Sequence, residues 1–456
     1  MKINPHAFKA YDVRGIYPDD VNEEVAYRSG LAYANFMKDA KKIVVGSDYR
    51  HSSPALKKSL IEGLVDGGKD VTDIGEVPTP VLYFGIAHYG YDGGIEITAS
   101  HNPGEYNGIK FQKEKAIPVY GENGIYDIRD AVINNELVKA SEKGKIDSKE
   151  IVDEYIDYLA SKIKLKRPLK IVIDPGNGAC GLIPEKIFKK LGCEVETIFA
   201  EPDGDFPNHI ADPYREENVQ DLKKRVLGTK ADLGIGFDGD GDRVGLIDKK
   251  GRIVSGEKQL MVLYRKVLEE FKGKIVMEVR TSKVVLDDIR ANGGEPVMAV
   301  AGHAYVLDSV FKEGAVFGGE TTGHIYFPKH YYDYDDGIFT ALKLAEMAAE
   351  KENFEDYLDS LPTAFASKEY FVDCPDEKKA PRIKALSDYL RENKYEFLDI
   401  DGVRINFPNG WALARPSNTT AHIKCRMEGD TEEDLVDVKK KAKEIFSKFE
   451  IDIKED

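Results

Sequence analysis

Cysteine is scarce in this chain: Cys180, Cys193, Cys374 and Cys425 are the only four in 456 residues, and no two form a C-x-x-C pair. That spacing excludes the common zinc and dithiol motifs as well as a disulfide framework, so all four are expected as buried, reduced thiols. No run approaches the ~20 apolar residues of a membrane span. The N-terminus, MKINPHAFKAYDVRG, lacks the apolar stretch and cleavage site of a secretory signal, so a cytoplasmic location is expected. Basic charge is also in short supply, with 65 Lys and Arg against 81 Asp and Glu and a net charge of -16. Nucleic acid and anionic membranes are therefore not expected partners, and an anionic substrate must be held by local cations. The sequence contains no G-x-x-x-x-G-K-[ST] phosphate loop and no G-x-S-x-G elbow, which removes the commonest ATP cradle and the serine-hydrolase arrangement.

What is present is an α/β pattern. Short β-branched runs alternate with amphipathic stretches to about residue 365, and similar strands open three successive units at KIVVGSD, LKIVID and KIVMEV. A weak internal repeat of this kind predicts three similar α/β domains, 1–150, 151–253 and 254–365, with charged helical connectors at KEIVDEYIDYLASKIKLK and SGEKQLMVLYRKVLEEFKGK. After LPTAFASKEYFV the texture changes. The runs FLDIDGVRINF, GWALARPS and AHIKCRMEG and a final charged helix predict a smaller α+β domain over 366–456.

Four loops could carry chemistry. Ser100 lies in TASHNP, where Pro103 stops regular pairing and presents the serine on a loop. GFDGDGDR sets Asp238, Asp240 and Asp242 at alternate positions. Carboxylates this close repel by roughly 1–4 kcal/mol per pair at about 4 Å, and a divalent cation with oxygen ligands, Mg²⁺ by preference, relieves the repulsion. An EF-hand does not fit, because its sixth and twelfth positions would be Arg243 and Lys249. GGETTGH offers Glu320, Thr322 and His324 for sugar hydroxyls. ARPSNTT surrounds Arg415 with Ser417, Asn418, Thr419 and Thr420, a donor set suited to a phosphate. A competing signal is DPGNGACG, which matches the G-x-G-x-x-G dinucleotide pattern between a strand and a helix.

Taken in order, these four loops resemble those of the α-D-phosphohexomutase superfamily over nearly the whole chain, together with AYDVRG near the start and NGIK after the serine loop. Within it, the SNT of the last loop resembles the phosphomannomutase/phosphoglucomutase branch rather than the glucosamine-phosphate branch. Ala99 and Ala421 depart from the residues often seen beside these motifs and leave the choice of hexose open. The resemblance implies mixed sheets in the three α/β domains and a central cleft among the four domains. It also implies a phosphorylated Ser100 whose phosphoryl group shares one Mg²⁺ with Asp238, Asp240 and Asp242. Arg14, Lys110 and Arg243 are implied as neutralising cations, and His101, Lys110 and His303 as candidates for moving a hydroxyl proton. Glu320 and Thr322 are implied on the sugar hydroxyls, Arg415, Ser417, Asn418 and Thr419 on the non-reacting phosphate, and Tyr11, Arg280 and His324 as further substrate-binding residues. The implied reaction interconverts hexose 1- and 6-phosphates through a hexose 1,6-bisphosphate. Phosphoglucosamine mutase and a non-catalytic sugar-phosphate binder are the alternatives, and monomer or homo-oligomer is left open.

Overall fold

A computed structural model describes residues 3–417 and 420–454, so the expected phosphate ligands Asn418 and Thr419 lie outside the described residues. The chain forms two compact units, Met1–Leu263 with Thr322–Asp359, and Tyr264–Thr321 with Ser360–Asp456. Among the described residues no helix is long and apolar enough to cross a membrane.

The first unit holds two mixed sheets. One runs in the order Val13–Ile16, Tyr106–Lys113, Gly93–Ile97, Lys42–Ser47, Asp70–Glu76 and Ile146–Ser148. Its last four strands are parallel, and Tyr106–Lys113 is antiparallel to both of its neighbours. The second sheet repeats the plan with Lys170–Asp174 parallel to both Glu194–Thr197 and Leu233–Phe237, followed by the antiparallel Val244–Asp248. In each case the antiparallel strand follows a loop of interest, so the serine loop and the aspartate loop both connect antiparallel neighbours.

Local sequence explains the covering helices. Glu23–Phe36 is capped by Asn22, whose side chain accepts the Val25 N–H, and carries Glu23 and Glu24 in its first turn, both favourable at a helix N-terminus. Its Gly30 packs against Ser53–Asp66 so closely that a Cβ would sit 2.3 Å from the Leu60 carbonyl oxygen. The proposed first connector is the helix Val152–Ser161 and the second is Gly256–Glu270. Gly337–Glu350 comes from the stretch expected to complete the third domain, yet it packs on the strands Leu233–Phe237 and Val244–Asp248 of the second sheet. Its side chains from Ile338 to Leu342 are buried on all sides, as such a sandwiched position requires.

The second unit contains the parallel strands Glu295–Ala299, Lys274–Glu278 and Phe317–Gly319. It also contains an antiparallel sheet built on Val403–Phe407, Gly410–Pro416 and His422–Gly429. Two features differ from the sequence expectation. FLDIDGVRINF is not one strand but Phe397–Leu398 paired back on Val403–Phe407. The helix Asp376–Glu392 was not anticipated, because Pro381 and a dense charge pattern obscure its period; buried Leu386 and Leu390 anchor it. All four cysteines are buried and free.

Candidate active site

The serine loop is held by a residue that motif reasoning missed. Arg50, fully buried beneath it, uses all five of its guanidinium N–H donors. Nε donates to Asp48 Oδ2 (3.0 Å), Nη1 to the carbonyls of Pro103 (2.5 Å) and Tyr106 (3.0 Å), and Nη2 to those of Ser100 (2.8 Å) and Asn102 (2.6 Å). Ser100 itself has φ of 50°, a left-handed conformation that a non-glycine residue adopts only when its surroundings enforce it. Arg50 and the Thr98 hydroxyl, which accepts the Ser100 N–H at 2.9 Å, supply that enforcement. The signal for it was the Asp-x-Arg that follows the strand Lys42–Ser47.

The aspartate loop lies directly against this serine. Gly239 is needed there, since a Cβ would stand 2.3 Å from the Ser100 carbonyl oxygen. Ser100 Oγ donates to Asp238 Oδ2 at 2.8 Å. Asp238, Asp240 and Asp242 are fully buried, and one oxygen from each lies within 4.8 Å of the others. Two cations answer the three carboxylates. Lys110 Nζ reaches Asp240 Oδ2 (2.5 Å) and Asp242 Oδ2 (2.8 Å), and Arg243 Nε reaches Asp238 Oδ2 (3.0 Å). Asp240 Oδ1 and Asp242 Oδ1 are buried without a hydrogen-bond partner. Orphaned anionic oxygens of this kind are costly unless a ligand takes them. A hard divalent cation fits that donor set.

The electrostatics separate the candidate proton carriers. Burial opposes the Lys110 charge, but Asp240 and Asp242 overcome it and raise its pKa well above the ordinary lysine value. In this arrangement Lys110 is held as a cation. His101 goes the other way: Arg243 first, then burial and Arg14, hold it well below the usual imidazole range, so it is neutral near pH 7. Arg243 Nη2 donates to His101 Nδ1, which leaves the ring proton on Nε2. Ser100 Oγ is 3.2 Å from that same Nδ1. Arg14 completes the rim, donating to Asn102 Oδ1 (2.9 Å) and Asp12 Oδ2 (2.5 Å), and Tyr11 lies close enough to support its charge.

His324 follows Glu320 and Thr322 in the GGETTGH loop. Its Nδ1 is 2.6 Å from Asp335 Oδ2 and 3.8 Å from Asp242 Oδ1, which puts it beside the acidic cluster. Thr322, half-buried, precedes it in the same unit. The G-x-G-x-x-G stretch is also accounted for. The N–H groups of Gly176, Asn177, Gly178 and Ala179 donate to Asp174 Oδ1 and to the carbonyls of Phe199, Pro175 and Gly239 respectively. These four amides are not left for a pyrophosphate, and Ala179 instead braces the aspartate loop.

In the second unit, Glu278 fixes Arg280 by accepting both its backbone N–H (2.6 Å) and Nε (2.9 Å), while Thr321 donates to the other oxygen (3.0 Å). Glu320 accepts the Gly302 N–H at 2.5 Å, just ahead of His303, the first residue of the helix His303–Glu313. Arg280 Nη2 stands 3.9 Å from Glu320. Arg404, also missed in the sequence, donates Nη1 to the carbonyls of Val279 (2.6 Å) and Thr281 (2.8 Å) and stacks 3.9 Å from the Trp411 ring centroid. Arg415 Nε donates to Asp401 Oδ2 (2.9 Å), and Ser417 Oγ accepts from Thr420 N (3.2 Å) and Oγ1 (2.8 Å). Lys379 Nζ donates to the carbonyls of Ser417 and Thr420.

Comparison with known proteins covers most of the chain. The profiles described as phosphoglucomutase/phosphomannomutase alpha/beta/alpha domains I, II and III match residues 5–136, 153–251 and 255–365, and that of the C-terminal domain matches 370–445. The chain is 38% identical over 432 residues to a phosphomannomutase/phosphoglucomutase of Pseudomonas syringae pv. tomato, covering 94% of this chain and 92% of that one. It is 38% identical over 436 residues to a phosphomannomutase of Escherichia coli K12, covering 92% and 94%. The crystal structure of a phosphoglucomutase/phosphomannomutase family protein from Burkholderia thailandensis superposes with a TM-score of 0.92 at 33% identity, covering 99% of each chain. With four consecutive domain profiles matched and these identities sustained over nearly the full length, the chain belongs to the phosphoglucomutase/phosphomannomutase family of the α-D-phosphohexomutases.

Proposed function

We propose that this protein is a phosphohexose mutase that interconverts the 1- and 6-phosphates of mannose or glucose, with Ser100 as the phosphoryl carrier. The observation that carries the reading is the Ser100 hydroxyl, 2.8 Å from Asp238, inside a buried triple-aspartate cluster that retains unpartnered oxygens. Asp238, Asp240 and Asp242, with an oxygen of the Ser100 phosphoryl group, would hold one Mg²⁺, which when bound supplies Lewis acidity at the transferring phosphoryl.

The chain's own residues do the rest. Phosphoryl transfer asks for positioning and charge neutralisation rather than covalent assistance. Arg50 aims Ser100, and Arg14, Lys110 and Arg243 neutralise the charge that spreads over the phosphoryl oxygens. In the first half-reaction the O–P bond to Ser100 breaks as one forms to the free sugar hydroxyl, whose proton must leave. His101, whose Nδ1 must first give up the Arg243 N–H, and His303 are the candidates to take that proton. The resulting hexose 1,6-bisphosphate then returns its other phosphoryl group to Ser100. Glu320 and Thr322 serve the sugar hydroxyls; Arg280, Arg415, Ser417, Asn418 and Thr419 serve the phosphate that is not reacting. His324, beside Asp335 and the acidic cluster, is a further residue on the substrate side.

The reading is tested by following 1-phosphate loss with Mg²⁺ and a trace of glucose 1,6-bisphosphate on mannose, glucose and glucosamine 1-phosphates. Turnover of mannose or glucose phosphate is expected. A wide preference for glucosamine 1-phosphate would reassign the branch, and no turnover of any of the three would overturn the reading.

A further inference from the structure

One cation on the antiparallel sheet of the second unit stands outside every motif. Lys424 lies on His422–Gly429 and is the direct cross-strand partner of Arg415. Directly opposed residues on neighbouring antiparallel strands project from the same face, so Lys424 rises beside the arginine of the phosphate cradle. On its other side it is paired with Phe371, and its Nζ is 5.1 Å from that ring centroid. Its side chain is mostly covered, with 20% of its surface exposed, and Nζ makes a loose ion pair of 3.4 Å with Glu369.

The neighbouring cations are tied more firmly. Arg415 donates to Asp401 at 2.9 Å, Arg280 is locked by Glu278, and Lys379 is spent on two carbonyls. Burial lowers the pKa of Lys424; Glu369 opposes that, and Arg280 and Arg415 lower it further. Lys424 is thus a half-buried ammonium crowded by two guanidinium groups and held by one long contact. An arriving phosphate dianion relieves that crowding more for Lys424 than for any of these neighbours.

Resting on the proposed mutase activity and extending it, we propose that Lys424 is an additional phosphate-binding residue. It joins Arg415 in holding the phosphate monoester of the hexose that is not being transferred. On binding, Nζ exchanges its long contact with Glu369 for a charge-assisted hydrogen bond to a phosphate oxygen, while its stem stays against Phe371. The ammonium remains intact, so no bond is made or broken.

Two measurements test this. In the wild-type protein, reductive methylation mapped by peptide mass spectrometry is expected to slow several-fold at Lys424 with glucose 6-phosphate but not with glucose. By calorimetry, Lys424→Met is expected to weaken glucose 6-phosphate binding about tenfold, the worth of one charge-assisted hydrogen bond. Lys424→Arg should restore most of it, and the melting temperature should change little. If glucose 6-phosphate binds the wild type yet neither protects Lys424 nor loses affinity in Lys424→Met, the inference is wrong and the mutase reading stands. If the folded wild type binds no hexose phosphate at all, both fall.

Discussion

Arg50 Nη2 donates to the carbonyl oxygen of Ser100 at 2.8 Å, and that bond belongs to a set of four that ties successive carbonyls of the serine loop to one buried guanidinium. The reactive hydroxyl is therefore aimed by a residue fifty positions earlier in the chain. Arg50→Lys keeps the charge but cannot reproduce a planar fork with five donors. Turnover should fall at least about a hundredfold, as expected for a misplaced reacting group. Stopped assays of the purified variant, with circular dichroism to verify the fold, check this.

Within the triple-aspartate cluster, Asp240 Oδ1 and Asp242 Oδ1 are buried without a hydrogen-bond partner. Adding Mg²⁺ should therefore raise the melting temperature, with a stabilisation of about 2.7 kcal/mol at a hundredfold excess over its Kd. Asp240→Asn should abolish the shift, and chelation should abolish turnover. A Mg²⁺-induced shift of unchanged size in Asp240→Asn would place the ion elsewhere.

Arg404 grips the carbonyls on both sides of Arg280 and is itself buried. Burial lowers its pKa to about 10, with Glu428 opposing, so it stays charged at neutral pH. Arg404→Leu leaves two buried carbonyls unsatisfied and should cost about 3 kcal/mol in urea unfolding. Because Arg280 loses its support, KM should rise more than kcat falls, which steady-state kinetics on the folded fraction will resolve.

Asp336 begins the helix Gly337–Glu350, accepting from Phe339 N (2.8 Å) and the Tyr155 hydroxyl (2.9 Å). Burial lifts its pKa to about 7 despite these bonds. A carboxyl whose folded pKa lies above its unfolded value binds its proton more tightly when folded. Its contribution is therefore greatest below pH 4, is lost as the pH rises from about 4 to about 7, and is constant above. Asp336→Asn retains an acceptor for Phe339 and should flatten that part of the profile, gaining on the wild type as pH rises. Chemical denaturation at pH 4.5, 6 and 7.5 measures the difference.

The strands Lys42–Ser47, Lys170–Asp174 and Lys274–Glu278 were legible because a buried parallel strand is a continuous β-branched run. The triple aspartate was legible because its repulsion has no structural rationale without a cation. Arg404 and Lys379 were not, since each works on backbone carbonyls distant in sequence and carries no local pattern, and Arg50 offered only the Asp-x-Arg after its strand. The contact of His324 with Asp335 has no sequence pattern of its own. Helix Gly337–Glu350 lies within the span matched to domain III, and its packing on the second sheet has no local sequence pattern.

The central claim is that Ser100 carries the phosphoryl group, and intact-mass spectrometry after incubation with glucose 1,6-bisphosphate tests it most directly. The account predicts one added phosphoryl group, mapped to the peptide containing Ser100 and absent from Ser100→Ala, which should bind hexose phosphate but not turn it over. A wild-type protein that turns over hexose phosphate without acquiring that group, or a Ser100→Ala variant that acquires it, would contradict the account.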